Sequence, residues 1–259
     1  MLLAIDVGNT NIVLGVFAGS GNAAVLEGDW RIHSDRDRTC DELGMLVQHL
    51  LEHKGLKLPD IQSVAISSVV PPMNETLHEF SRKYLSVDPF VVDHNANTGI
   101  SILYHPPSDV GADRICNAVG AFARYGGPAV VVDFGTATTF DAIAPNGDYL
   151  GGAILPGIGI SMDALFRQAA RLFRVELTPP PNAIGDNTAH SLQSGLVFGF
   201  AGQTDAMVER FRLELGAEAR VIATGGLAEL IHPASRTIQI VDQLITLDGL
   251  RLLFERQTS

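Results

Sequence analysis

Two stretches far apart in the chain are written alike: "AIDVGNTNIVLGVF" at 4–17 and "PAVVVDFGTATTFDAI" at 128–143. Each is an apolar run, an Asp, a Gly within a small polar turn, and a second apolar run. Apolar, β-branched stretches of this length read as strands, and the residues between them as a turn. A third strand candidate follows each pair, at 24–32 and in "DYLGGAILPG". Helical and strand-like segments then alternate in both halves. A pattern repeated on the scale of a whole domain constrains the fold more than any single turn does. It predicts two α/β units of one plan, with domains at 1–115 and 116–259 and the boundary somewhere between about residues 109 and 127. No Ser/Gly-rich linker marks that boundary, so the halves are expected to pack closely around a cleft.

Within the first half, Thr39-Cys40-Asp41-Glu42 precedes Leu43, Leu46, Val47, Leu50 and Leu51, which are spaced as on a helix with an acidic first turn. Residues 61–70 read as a strand stopped by Pro71-Pro72, 74–85 as a helix, and "PFVVD" as a short strand. The second half continues with a long helical pattern that includes "MDALFRQAARLFRV", then "ARVIATGGLAEL", "IQIV" and an amphipathic tail at 243–254.

Composition narrows the partners. The 259 residues are 46% hydrophobic and 18% charged, as in ordered globular chains. The net charge of −11 disfavours nucleic acid, which needs clustered Lys and Arg. Lys54, Lys57 and Lys83 are the only lysines, and none adjoins a glycine-rich stretch. A P-loop, which needs a Lys after its glycines, is therefore excluded. No apolar run reaches the about 18 residues of a membrane span. The opening residues carry no basic segment and read as the first strand, not as a signal peptide. Cys40 and Cys116 are read as reduced packing residues, and the histidines lack metal-ligand spacing. A cytoplasmic protein is the simplest expectation.

The repeated turns suggest chemistry. Backbone N–H groups of Gly8-Asn9-Thr10 and of residues 135–138 can face phosphate oxygens, with Thr hydroxyls as further donors. Asp6 and Asp133, at strand ends, can hold a hydrated cation, because Mg²⁺ needs few carboxylates when phosphates complete its shell. A plain hairpin remains the alternative at 6–10. Thr224-Gly225-Gly226 is either a platform for an adenosine moiety or a strand-to-helix turn. "GADR" at 111–114 is either a substrate motif or a helix start capped by Ser108 or Asp109, with Arg114 facing solvent.

In their order, "IDVGNTN", "GADR", "VVDFGTATTFD", "YLGGAILPG", "IGDNT" and "IATGGLA" resemble the type III pantothenate kinase family, from the first strand to "ITLDGL" near the end. The resemblance implies two ribonuclease-H-like domains with mixed sheets flanked by helices and a nucleotide cleft between them. It implies ATP-dependent phosphorylation of the terminal hydroxyl of pantothenate, the first step towards coenzyme A. It also implies Mg²⁺, a monovalent cation (K⁺ or NH4⁺), and a homodimer whose pantothenate pocket lies at the subunit interface.

Residue by residue, Asp6, Val7, Gly8, Asn9, Thr10, Asn11, Ile12 and Val13 match the family's first ATP-phosphate segment. Gly111, Ala112, Asp113 and Arg114 match its pantothenate motif, with Asp113 in the place of the general base. Tyr104 and Thr188 match substrate contacts, Thr136 an ATP contact, and Asp133 the monovalent-cation site. Asp6 is assigned to Mg²⁺ through water, and Gly225 and Gly226 to the nucleotide. Tyr104 could equally be a rim aromatic on the prolines that follow it, and Asp133 could serve Mg²⁺ instead. The resemblance also makes Ile158, Ile160 and Leu165 candidates to close the partner subunit's pocket. Two residues depart from the family pattern: Phe173, where a proline is frequent, and Asp186, where lysine is common. Two other readings stay open, a nucleotide-binding regulator without turnover and a kinase with another acceptor.

Overall fold

A computed structural model describes residues 1–169 and 171–258. The chain forms two compact units, one made of residues 1–120 with 245–258 and the other of residues 121–244.

The first unit is built around β1 (Leu2–Val7), which pairs antiparallel with β2 (Asn11–Ala18), itself antiparallel to β3 (Val25–His33). Leu3, Ala4, Ile5 and Val7 are all buried, so β1 reads as one apolar run because both its faces are covered. Helix α1 (Cys40–His53) starts at Thr39, whose hydroxyl accepts from the Glu42 N–H while Glu42 accepts from the Thr39 N–H. This reciprocal cap is worth about 1 kcal/mol. Strand β4 (Ser63–Ser68) lies parallel to β1 on its other side. Helix α2 (Pro71–Leu85) begins at the two prolines, earlier than the sequence suggested. Pro is favoured in a first turn, where its missing N–H has no intrahelical acceptor. The short β5 (Phe90–Val91) completes the sheet order β3-β2-β1-β4-β5. Leu43, Val47, Met73, Leu77 and Phe80 of α1 and α2 close the core.

The sequence places the boundary at 115/116, whereas the compact units part at 120/121, inside α3 (Ala112–Tyr125). The last helix, Ile245–Thr258, packs on β1, β2 and β4 of the first unit. Leu247 sits over Gly15, where a Cβ would come within 2.8 Å of it.

The second unit repeats the plan. Strands β6 (Ala129–Phe134), β7 (Ala137–Ile143) and β8 (Tyr149–Pro156) form the antiparallel meander, and β9 (Arg220–Thr224) and β10 (Ile240–Val241) add in parallel. The order β10-β9-β6-β7-β8 is the first sheet's order read from its other end. Both sheets are mixed, five-stranded and flanked by helices, which is the ribonuclease-H-like α/β arrangement. Helices α4 (Ile158–Gln168), α5 (Thr188–Leu215) and the short α6 (Ala228–Ile231) complete the unit. The long helical pattern expected through "MDALFRQAARLFRV" is thus interrupted after Gln168. Ala170 lies outside the described residues, and Arg174 bonds back to Asp163 at 2.6 Å. Pro179, Pro180 and Pro181 bar a helix until Asn187 caps α5 through the His190 N–H.

Candidate active site

In the first unit the acidic turn joins β1 to β2. Asp6 is the penultimate residue of β1 and opposes Val13, while Val7 opposes Ile12. The turn closes through the Gly8 N–H, which donates to the Asn11 carbonyl at 3.0 Å. Asn9 and Thr10 are exposed. Val7 and Ile12 point into the core, so what they offer a ligand is backbone. The Thr10 carbonyl accepts from Ser34 N, and Asn9 Oδ1 accepts from Arg36 Nη2 at 3.0 Å.

Asp6 Oδ1 accepts a 2.9 Å hydrogen bond from Ser67 on the neighbouring strand. The Cys116 thiol of α3 lies beside this pair. Burial pushes its pKa well up, the Asp6 carboxylate adds to the rise, a hydrogen bond with Ser67 opposes it, and Asp113 contributes a further rise. Asp6 and Asp113 thus both act electrostatically on one buried thiol.

Asp113 stands in the first turn of α3. Its Oδ1 accepts from the Arg114 N–H at 2.8 Å and lies where a Cβ on Gly111 would come within 2.6 Å of it. Only glycine leaves the carboxylate that position without displacement. Burial raises the Asp113 pKa, against the opposing pull of the Arg114 N–H and guanidinium. Gly111 and Ala112 wall a cavity of about 270 Å³, completed by Ser68, Val69, Val92, His94 and Val110 among others. Arg114 is 7% exposed, so a solvent-facing arginine is excluded, and the helix begins at Ala112 after a separate short turn at Pro107–Asp109. Tyr104 is half-buried in the irregular segment before α3 and does not line this cavity.

In the second unit Asp133 holds the place on β6 that Asp6 holds on β1. It is the penultimate strand residue and pairs across with Thr139. The Gly135 N–H closes the turn on the Ala137 carbonyl at 3.0 Å, and Thr136 is exposed at its tip. Gly225, with φ +88°, brings its backbone so close to Asp133 that a Cβ there would fall 2.4 Å from Oδ1. Gly226 is exposed beside it. Thr188 is the exposed first residue of α5. Asp186, the acidic departure, bonds at 2.7 Å to His190, which holds its carboxyl below the usual range. Its charge is therefore partnered locally. Of the three candidates for a partner's pocket, Ile160 and Leu165 are exposed, but Ile158 is 1% exposed within its own unit's core and cannot reach out.

Sequence reasoning missed Ser67 and Arg36. Ser67 had a signal: "AISS" in β4 and "VIAT" in β9 both end an apolar strand on a hydroxyl residue beside the central Asp. Among the described residues no three His, Cys, Asp or Glu gather as a metal-binding cluster, and no helix is long and apolar enough to cross a membrane.

Fold and turns define a duplicated ribonuclease-H-like α/β protein with an acidic turn at the end of each central strand. A crystal structure of a candidate 2-dehydro-3-deoxygalactonokinase from Sinorhizobium meliloti shares this fold with a TM-score of 0.61 at 13% identity, over 99% of this chain and 96% of that one. The sequence model of the type III pantothenate kinase family matches residues 2–210. The type III pantothenate kinase of Moorella thermoacetica is 52% identical over 100% of both chains. That of Anaeromyxobacter sp. (strain Fw109-5) is 55% identical over 99% of each. The chain belongs to the type III pantothenate kinase family.

Proposed function

We propose that this protein transfers the terminal phosphoryl group of ATP to the terminal hydroxyl of pantothenate, opening the route to coenzyme A. The observation that carries the reading is Asp113: a half-buried carboxylate of raised pKa at the head of α3, next to a cavity walled by Gly111 and Ala112. An alcohol is a weak nucleophile until a base takes its proton, and a carboxylate whose pKa is shifted towards neutrality does so better. Asp113 accepts that proton as the hydroxyl oxygen attacks phosphorus and the bond to the ADP oxygen breaks. Arg114, with Tyr104 and Thr188, orients pantothenate.

The turn at residues 6–13 and Thr136, with Gly225 and Gly226, cradles ATP through backbone N–H groups and hydroxyls. Asp6 fits Mg²⁺ held through water, since it is a half-buried carboxylate next to the turn whose orientation Ser67 fixes. When bound, Mg²⁺ neutralises charge on the phosphates. Asp133 fits K⁺ or NH4⁺ as a half-buried carboxylate lying close against the Gly225 backbone. The exposed Ile154, Ile160 and Leu165 suit a homodimer contact. A cytoplasmic setting accords with the substrates.

The test is ATP- and Mg²⁺-dependent phosphorylation of pantothenate in K⁺ against Na⁺, with wild type and Asp113→Asn. Turnover in K⁺, lost in the variant, is expected. Turnover of another alcohol but not of pantothenate would overturn the acceptor, and an active variant would overturn the base.

A further inference from the structure

A triphosphate needs more than one cation, and no lysine adjoins either turn. The structure assigns that task in the first unit to Arg36, as the guanidinium that binds a phosphate of the nucleotide. The assignment rests on the nucleotide reading of the turn at residues 8–10. Three observations place Arg36 there. Its segment is tied to the turn at its base, because the Ser34 N–H donates to the Thr10 carbonyl at 2.9 Å. Ser34 is itself buried, with its hydroxyl on Met73 Sδ at 3.4 Å, so this tether belongs to the core. Beyond it, a tight turn closed by the Arg38 N–H on the Asp35 carbonyl at 3.3 Å presents the Arg36 side chain, whose Nη2 donates to Asn9 Oδ1 at 3.0 Å.

That single bond uses one of the five guanidinium N–H donors. Asp35 and Asp37 flank Arg36 in sequence, yet among the described residues no carboxylate pairs with it. The guanidinium is exposed, held against the tip of the turn, and not neutralised. In a chain of net charge −11, a cation so placed offers an anion a charged donor at the tip of the turn. Its planar fork suits phosphate oxygens, which a lysine ammonium would meet only as a point charge.

The experiment is calorimetric titration of MgATP and of adenosine into wild type, Arg36→Ala and Arg36→Lys, with a thermal melt of each. Loss of one charge-assisted phosphate contact should weaken MgATP by about 10- to 100-fold in Arg36→Ala. Arg36→Lys should recover part of the affinity, while adenosine binding and the melts stay as in wild type. Equal MgATP affinity in wild type and Arg36→Ala would overturn the assignment. So would a parallel loss for adenosine, which would make Arg36 a brace of the turn through Asn9. Wild type that binds no MgATP would remove the nucleotide reading as well, an outcome distinct from the other two.

Discussion

The Ser67 hydroxyl donates to Asp6 Oδ1 at 2.9 Å, and the two residues are register partners on parallel strands β4 and β1. The second sheet places Thr224 opposite Asp133 in the same register. Ser67 is 0% and Thr224 2% exposed. A buried hydroxyl held against a carboxylate fixes the orientation in which that carboxylate meets a ligand.

Removing that donor should therefore act on the cation rather than on the acceptor. Ser67→Ala is expected to raise the Mg²⁺ concentration for half-maximal turnover by about 10-fold, the worth of one hydrogen bond to a charged group. The pantothenate KM should not change. Ser67→Thr should stay near wild type, because the equivalent position in the second sheet is already a threonine. A Mg²⁺ titration of the rate reads this directly, and an unchanged half-saturation in Ser67→Ala would refute it.

Asp113 yields a prediction with two signs. Its folded pKa is raised by burial, with the Arg114 N–H and charge opposing. A carboxylate shifted upward destabilises the fold progressively as pH rises from its unfolded pKa, about 3.9, to its folded one, and by a constant amount above that. Asp113→Asn should lower the rate by about 10²–10⁴-fold. It should also melt at or above wild type at pH 7, an advantage that disappears near pH 4. For the same reason, the acid limb of kcat/KM in wild type should fall above pH 4. Melts at the two pH values and a pH–rate profile check both signs.

The parts of this molecule legible in the sequence are those fixed by local chemistry. Buried central strands, acidic turns and the Thr39–Glu42 cap all write themselves into a few consecutive residues. The GADR motif was legible as a helix start, but the burial of Arg114 was not, because it depends on what packs over α3. The break after Gln168 escaped notice since apolar spacing continues through Leu172 and Val175, and Val175 is buried without being helical. The last helix joins the first unit through contacts with strands that lie more than half the chain away, for which sequence carries no local sign. Arg36 and Ser67 escaped for a related reason: each acquires its meaning from a partner on another segment.

Asp205 should be the second unit's most sensitive polar residue. On α5 and 3% exposed, it accepts from the Ser235 hydroxyl at 2.7 Å, the Thr237 hydroxyl at 2.8 Å, and the Arg236 and Thr237 N–H groups. Burial alone would raise its pKa, but these hydrogen bonds together bring it below the usual carboxylate range. Its stabilisation is thus present above the unfolded pKa and lost as pH falls through the folded one. Asp205→Ala strands several donors and should cost about 3 kcal/mol in urea melts at pH 7. Arg236, whose side chain is 79% exposed, should cost under about 1 kcal/mol as Arg236→Ala. Similar losses in the two variants would show that the ion pair, not the hydroxyl and backbone donors, carries the contact.

The last helix meets α3 backbone to backbone. A Cβ at Gly249 would fall 1.9 Å from the Cys116 carbonyl oxygen, and one at Gly120 would fall 2.3 Å from the Ile245 carbonyl oxygen. Neither obstacle is a side chain that can rotate away, so an alanine at either position must separate the helices. Overpacking of this kind costs about 1–3 kcal/mol, and these contacts belong at the upper end. Because α3 also carries Asp113, Gly249→Ala should lower kcat as well as stability. The double variant Gly120→Ala/Gly249→Ala should lose less than the sum of the two, since the first alanine already opens the crossing that the second needs. Denaturant melts of the three variants give the coupling, and strict additivity would mean that the two glycines relieve separate contacts.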